Sequence, residues 1–147
     1  MTPIYTVGHS NRSIREFTLT LETVGVTRVV DVRRLRGSER YPQFDAGRLR
    51  ETLGDVGVEL TASPALTGRR PIDHGVDPAV NGWWENRSFH NYADHALSVE
   101  FAAALRLLLD AGAAAPTAVM CSEAVWWRCH RRIIADHLIA LGYRWCT

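Results

Sequence analysis

Two kinds of hydrophobic pattern alternate along the chain. Short apolar runs rich in β-branched residues predict strands, and these are "PIYTVGHS", "RVVDVR", "VELTASP" and "TAVMCSE". Between the runs, apolar residues recur every third or fourth position, which predicts helices over "SIREFTLTLETVG", "DAGRLRETLGDVG", about 92–112, and "RCHRRIIADHLIALG". A final "YRWC" is a candidate edge strand. The chain therefore reads as repeated strand-helix units.

Local signals mark the ends of these helices. Ser13 followed by Glu16 forms a capping box at the start of the first helix, and Gly57 stops the second. The apolar faces of the first three predicted helices are expected to point into the core. Their members are Ile14, Phe17, Leu21 and Val24, then Leu49, Leu53 and Val56, then Leu97, Phe101, Leu105 and Leu108.

Strands that alternate with helices predict a single α/β domain over residues 1–147. We expect a three-layer sandwich, with a mostly parallel sheet of four to five strands and helices on both faces. About 25 residues, "ALTGRRPIDHGVDPAVNGWWENRSF", lack periodicity and predict a long functional loop at about 65–90. The sequence shows neither an apolar run long enough to span a membrane nor a secretory leader, so we expect a cytoplasmic protein without a membrane partner.

The composition adds two constraints. All seventeen basic residues are arginine, whose planar fork suits bidentate contacts to phosphate, although a GC-rich genome also replaces lysine by arginine without functional cause. Without lysine, catalysis by a side-chain amine is excluded. Three cysteines, an odd number, do not form a disulfide framework and favour free thiols in a reducing compartment.

Polar side chains cluster where three of the predicted strands end. Ligands of open parallel sheets bind outside these carboxyl ends, near the point where strand order reverses. Each residue also has a plain structural reading: Asp31 as a turn cap, His9 as a satisfied core residue, the arginines as solvated. The clusters are His9, Ser10, Asn11 and Arg12; then Asp31, Arg33, Arg34, Arg36 and Arg40; then Cys121, Glu123, Trp126, Trp127, Cys129, His130 and Arg131.

Four blocks carry a family resemblance. "YTVGHSNRS", "VDVRRLRGSERYPQF", "LTGRRP" and "CSEAVWWRCHRRIIADHL" resemble, in the same order, the signature blocks of the bacterial and archaeal domain of unknown function 488 family. The resemblance implies a compact α/β fold, and some members resemble DNA glycosylases that act on oxidised thymine such as 5-hydroxymethyluracil. The chain departs from the family pattern by ending soon after its last helix. The resemblance marks as motif positions, without assigning roles, His9, Asn11, Asp31, Arg33, Glu123, Cys129, His130 and Arg131.

The favoured function is hydrolysis of an N-glycosidic bond by a monofunctional DNA glycosylase. Asp31 and Glu123, assisted by His9 and Asn11, would activate water and stabilise a cationic sugar, with no metal or cofactor. A flipped base in duplex DNA also requires phosphate anchors and stacking surfaces. The candidate anchors are Arg12, Arg33, Arg34, Arg36, Arg40, Arg69, Arg70, Arg128, Arg131 and Arg132, and the candidate stacking residues are Trp83, Trp84, Trp126 and Trp127.

Other functions remain open at this point. Cys121, at a strand end just before a helix, is a candidate nucleophile of a rhodanese-like or phosphatase-like enzyme. Residues 121–131, however, contain no glycine to wrap an anion. Cys121, Cys129 and His130 lack metal-ligand spacing, so Cys129 is read as a small packing residue and His130 as a hydrogen-bonding one. A non-catalytic nucleic-acid-binding module is the third class.

Overall fold

The chain folds into a five-stranded parallel sheet between two layers of helices. A computed structural model describes residues 3–147. The strands are β1 (Ile4–Gly8), β2 (Arg28–Asp31), β3 (Glu59–Ala62), β4 (Thr117–Cys121) and β5 (Trp145–Cys146). The helices are α1 (Ile14–Thr23), α2 (Ala46–Asp55), α3 (Arg87–His95), α4 (Val99–Ala114) and α5 (Arg131–Ala140). The predicted three-layer α/β sandwich is confirmed, including the short edge strand near the carboxyl terminus.

The sheet has the order β3-β2-β4-β1-β5, and all neighbouring strands are parallel. Side chains of β4 alternate between two apolar cores, so Met120 packs with α1 and α2, whereas Val119 packs with α3, α4 and α5. Every residue of β4 is buried, because helices cover both of its faces. Within residues 3–147, no helix is long and apolar enough to cross a membrane.

The start of α1 follows the sequence prediction. The Ser13 hydroxyl accepts a hydrogen bond from the Glu16 N–H, and the Glu16 carboxylate accepts one from the Ser13 N–H. Phe17 and Leu21 are buried as expected. The predicted burial of Val24 and Val56 is wrong, because each valine caps the carboxyl end of its helix and lies beyond the packed face.

The single helix predicted over about 92–112 is in fact two helices. Ser98 accepts a hydrogen bond from the Phe101 N–H at 3.1 Å and so begins α4, while α3 ends at His95. Leu97 falls in the turn between them and is 59% exposed rather than buried. Asn86 caps α3 in the same way, accepting from the Phe89 N–H, so the long loop ends several residues before the predicted position 90.

The strand order reverses between β1 and β4. The chain leaves β1 into α1 on one face of the sheet, and leaves β4 into α5 on the other. The ladder between these strands continues past their ends, since the N–H groups of His9 and Ser10 donate to the carbonyls of Cys121 and Ser122, each at 3.0 Å. A crevice at the carboxyl ends of these strands is the expected ligand site of such a sheet.

Candidate functional site

A cavity of about 280 Å³ opens at the carboxyl ends of β2 and β4. The loop after β4 forms one wall, the residues after β2 a second, and the loop around residue 68 with the start of α3 a third. Three exposed arginines belong to this lining, and thiol and imidazole groups lie deeper. The lining residues on which its chemistry depends are Arg34, Arg69, Asn86, Ser88, Phe89, Cys121, Glu123, Arg128, Cys129 and His130.

Glu123 supplies the one carboxylate among the described residues that line this cavity. One carboxylate oxygen accepts a hydrogen bond from the Val125 N–H at 3.0 Å, which fixes the side chain. Its backbone carbonyl accepts from the Arg131 guanidinium. The same carbonyl lies so close to Gly8 that a Cβ there would be 1.8 Å away, which explains glycine at the end of β1. Glu123 is thus held from three directions.

Asp31 does not share this cavity with Glu123. Both of its carboxylate oxygens accept hydrogen bonds from Arg33, at 2.8–3.2 Å, and the ion pair is buried, with Asp31 1% and Arg33 4% exposed. A third Arg33 nitrogen donates to the Phe44 carbonyl at 2.7 Å. The prediction that Asp31 and Glu123 line one pocket is wrong. The Asp31 carboxylate instead holds Arg33 beneath the end of β2.

His9 and Asn11 also lie outside the cavity lining. The His9 ring stacks on Phe44 with centroids 4.3 Å apart, its Nδ1–H donates to the Ser10 carbonyl, and its Nε2 accepts from Arg33. Burial lowers the pKa of His9, which favours this neutral ring. His9 is therefore a packing and positioning residue for Arg33, and Asn11 is an exposed loop residue. The structure supports a catalytic role for neither.

His130 lines the cavity as a neutral imidazole. Its Nε2–H donates to the Val32 carbonyl at 2.9 Å, which leaves Nδ1 as an acceptor. Burial lowers the pKa of His130 to about 4, so the ring carries no charge at pH 7. Gly68 leaves room for the ring, since a Cβ at that position would lie 2.6 Å from Nδ1. The hydrogen-bonding role predicted for His130 is confirmed, and its free acceptor belongs to the candidate site.

Cys121 and Cys129 form a close pair of thiols beside the Arg131 side chain. Their sulfur atoms are 3.4 Å apart, and the Nε–H of Arg131 donates to the Cys129 sulfur at 3.3 Å. The hydrogen bond from Cys121 lowers the pKa of Cys129, and the Arg131 guanidinium lowers it further. The same thiol–thiol hydrogen bond, together with burial, raises the pKa of Cys121. Cys129, and not Cys121, is therefore the thiol favoured as thiolate, and Cys129 also packs against the apolar core, as the sequence predicts. Within residues 3–147, no three His, Cys, Asp or Glu side chains group closely enough to hold a metal ion.

The candidate phosphate-binding arginines divide by burial. Arg33 and Arg131 are buried and bound inside the protein, so the prediction that they grip phosphates is wrong. Arg70 donates to the Pro64 and Thr67 carbonyls, and the Arg132 guanidinium lies 5.1 Å from the Trp84 ring centroid. Arg12 is half-buried and outside the cavity lining. The candidates with exposed side chains are Arg34, Arg36, Arg40, Arg69 and Arg128, of which Arg34, Arg69 and Arg128 line the cavity.

The tryptophan pairs each contain one packed and one exposed ring. Trp84 stacks on Phe89 at 5.1 Å and contacts the core, while Trp83 is 75% exposed. Trp126 lies 6.0 Å from Trp145 between centroids, while Trp127 is 54% exposed. Trp84 and Trp126 are therefore packing residues. Stacking on a base remains a prediction for Trp83 and Trp127.

Part of the site was missed from the sequence. The cavity is also lined by Asn86, Ser88 and Phe89. These residues lie in a segment whose lack of periodicity predicts a loop. One signal in the sequence does predict a helix start here: Asn86 is a favoured N-cap residue, and the apolar Phe89 follows three positions later. Two non-glycine residues with positive φ, Ser10 at 46° and Arg69 at 57°, also lie at these strand ends and loops. Such backbone strain is concentrated at functional sites in folded proteins.

The fold and the cavity define an α/β protein with a polar, arginine-lined site at the carboxyl ends of two central parallel strands, β2 and β4. Residues 13–138 match the family model described as "Domain of unknown function DUF488", and the chain belongs to this family. The match contains Asp31, Glu123, Cys129 and His130, and begins after His9. The chain matches no curated protein and no solved structure. The family description names no activity.

Proposed function

We propose that this protein is a monofunctional DNA glycosylase that removes a modified pyrimidine such as 5-hydroxymethyluracil. The observation that carries the proposal is the fixed Glu123 carboxylate in a cavity that also contains uncharged hydrogen-bonding groups and three arginines. The carboxylate would stabilise a cationic sugar, the uncharged groups would hydrogen-bond a polar base, and the arginines would bind the phosphates. Asp31, His9 and Asn11 are not part of the proposed catalytic machinery.

The proposed reaction uses Glu123 on the sugar side of a flipped nucleotide. As the N-glycosidic bond breaks, its electron pair leaves with the base and positive charge develops on the sugar, which the Glu123 carboxylate stabilises. Water attacks the anomeric carbon and loses a proton to the Glu123 carboxylate. Asn86 and Ser88 supply hydrogen bonds to the base. The Phe89 ring supplies an apolar surface beside the base. Because burial lowers the pKa of His130 to about 4, the neutral ring serves as a hydrogen-bond acceptor rather than as the base.

The test is release of a free base from duplex DNA. Duplexes that carry 5-hydroxymethyluracil, uracil or unmodified thymine are incubated with the protein, and both the base and the strand are measured. We expect release of the modified base with an intact strand that breaks only after alkali, because the chain contains no lysine to form a Schiff base. Strands that resist alkali for every substrate would contradict the proposal, and tight binding without release would favour the non-catalytic module.

The arginines that line the cavity predict how binding responds to salt. Affinity for DNA falls as salt rises, and each arginine that neutralises a phosphate makes the slope of log affinity against log salt steeper by about 0.9. We expect Arg34→Gln, Arg69→Gln and Arg128→Gln each to weaken duplex binding and to make this slope shallower by about 1. Arg106→Gln is the matched control, since Arg106 is exposed on α4 and pairs only weakly with Asp110. Equal slopes for all four variants, measured by fluorescence anisotropy, would remove these arginines from the DNA contact.

A further inference from the structure

The Cys121–Cys129 pair has chemistry that base excision does not use. Cys121 lies at the end of β4, Cys129 lies two residues before α5, and both line the cavity. Their sulfur atoms are already 3.4 Å apart, although they are eight residues apart in sequence. A contact this short requires only a small movement to become a covalent bond, and the cavity gives small molecules a path to it.

The charge around Arg131 indicates that one of these sulfurs is anionic. The Arg131 side chain is 0% exposed, and its other donors point to the Thr6 hydroxyl and to the Glu123 carbonyl, both uncharged. Within residues 3–147, no carboxylate lies within 4 Å of this guanidinium. A buried guanidinium cannot lose its proton and is costly without a counter-charge. The Cys129 sulfur, 3.3 Å from Nε, is the neighbouring group able to supply it.

The Cys129 sulfur also lies 3.6 Å from the Trp126 carbonyl, a contact that a neutral thiol would make, so the assignment as thiolate depends on the shorter contact with Arg131. Cys129 lies two residues before α5, so its sulfur is close to the N-terminus of that helix, a position that favours a thiolate. The neighbouring imidazole of His130 is neutral, and burial raises the pKa of the nearby Tyr92 hydroxyl, so neither group competes as an anion or adds a cation. With Cys129 as the thiolate, Cys121 is the protonated partner, and its S–H has the Cys129 sulfur at 3.4 Å and the Glu123 carbonyl at 3.8 Å as acceptors.

We propose that Cys129 and Cys121 form a peroxide-reactive dithiol, with Cys129 as the attacking and Cys121 as the resolving thiol. The Cys129 thiolate attacks one oxygen of hydrogen peroxide, so an S–O bond forms, the O–O bond breaks and hydroxide leaves. Cys121 then attacks the resulting sulfenic acid, its proton joins the departing oxygen, and water leaves as the disulfide forms. The two thiols supply the two electrons. An external dithiol returns the pair to the reduced state.

The test uses the full-length protein, reduced and then treated with hydrogen peroxide. We expect loss of two of its three free thiols and of two hydrogen masses, both restored by dithiothreitol, with a peptide that links Cys121 to Cys129. Cys121→Ser is expected to stop at the sulfenic acid, so that dimedone labels Cys129. Cys129→Ser is expected to abolish disulfide formation. Cys146→Ser is the matched control and retains the reaction.

Two results would overturn the proposal. One is equal oxidation of all three cysteines, and the other is an absence of the dimedone adduct on Cys129 in folded Cys121→Ser protein. Alkylation of Cys129 by iodoacetamide over a pH series provides a further readout, and we expect its midpoint below the usual thiol value of about 8.5. None of these measurements uses DNA, so failure of the dithiol and failure of the proposed glycosylase are distinguishable.

Discussion

Replacing Glu123 by glutamine is expected to lower the rate of base release by about 10²- to 10⁴-fold, the usual contribution of a positioned acid or base. The change removes the charge but keeps an oxygen that accepts from the Val125 N–H, so the loop after β4 retains its geometry. Duplex affinity should stay the same or rise, since a negative charge near the phosphates is lost. Single-turnover rates and anisotropy separate the two effects.

Two further variants make the Glu123 experiment specific. Glu51→Gln is the matched control, because Glu51 is an exposed carboxylate on α2, remote from the cavity lining. Asp31→Asn tests the equal catalytic role that the sequence predicts for Asp31, provided that turnover is measured per folded molecule, because the same change is expected to destabilise the fold. Full turnover in Glu123→Gln would exclude carboxylate catalysis at this position. A Glu51→Gln variant that loses as much activity would indicate a general loss of charge rather than a site.

Asp31→Asn is expected to destabilise the fold by about 3–5 kcal/mol, because it leaves Arg33 buried without its counter-charge. Denaturant unfolding at pH 7 measures this loss as a shift in midpoint at unchanged slope. Glu59→Gln is the matched control. Its pair with Arg28 joins β2 to β3, but Glu59 is 60% exposed, so the expected loss is below about 1 kcal/mol.

A second variant keeps the Asp31 prediction testable if the asparagine protein does not fold. In Asp31→Asn combined with Arg33→Met, the buried charge and its partner are both removed, and stability should partly return relative to the single variant. A loss below about 1 kcal/mol in Asp31→Asn alone would show that the buried ion pair is not a major contribution to stability, and the structural role given to Asp31 would fail.

Much of the fold follows from local signals in the sequence. β-branched runs and helical spacing predict the four longer strands and most of the helices, and the Ser13–Glu16 capping box places the start of α1. The break between α3 and α4 could not be read from periodicity, because apolar residues continue through it. Only the Ser98 cap ends that pattern, and a lone serine inside an apolar stretch is a weak signal.

The cavity lies at the edge of the sheet where the sequence places the candidate site, and only part of the predicted set lines it. Strand ends converge by topology, so Glu123, His130 and several arginines were found from sequence position alone. Which polar group faces the cavity and which is buried depends on side-chain packing between distant segments. Arg33 and Arg131 each pair with a residue two positions earlier, but their burial depends on distant acceptors, the Phe44 carbonyl and the Thr6 hydroxyl, which the sequence does not reveal.

The paired backbone beyond β1 and β4 determines which wall of the cavity is rigid. Because His9 and Ser10 remain hydrogen-bonded to the carbonyls of Cys121 and Ser122, the base of the crevice is an extension of the sheet rather than a loop. Its amides should exchange with solvent only when the central strands separate, whereas the opposite wall, from the long loop, opens at lower cost. We therefore expect the facing segment, rather than this floor, to move when ligands of different size bind.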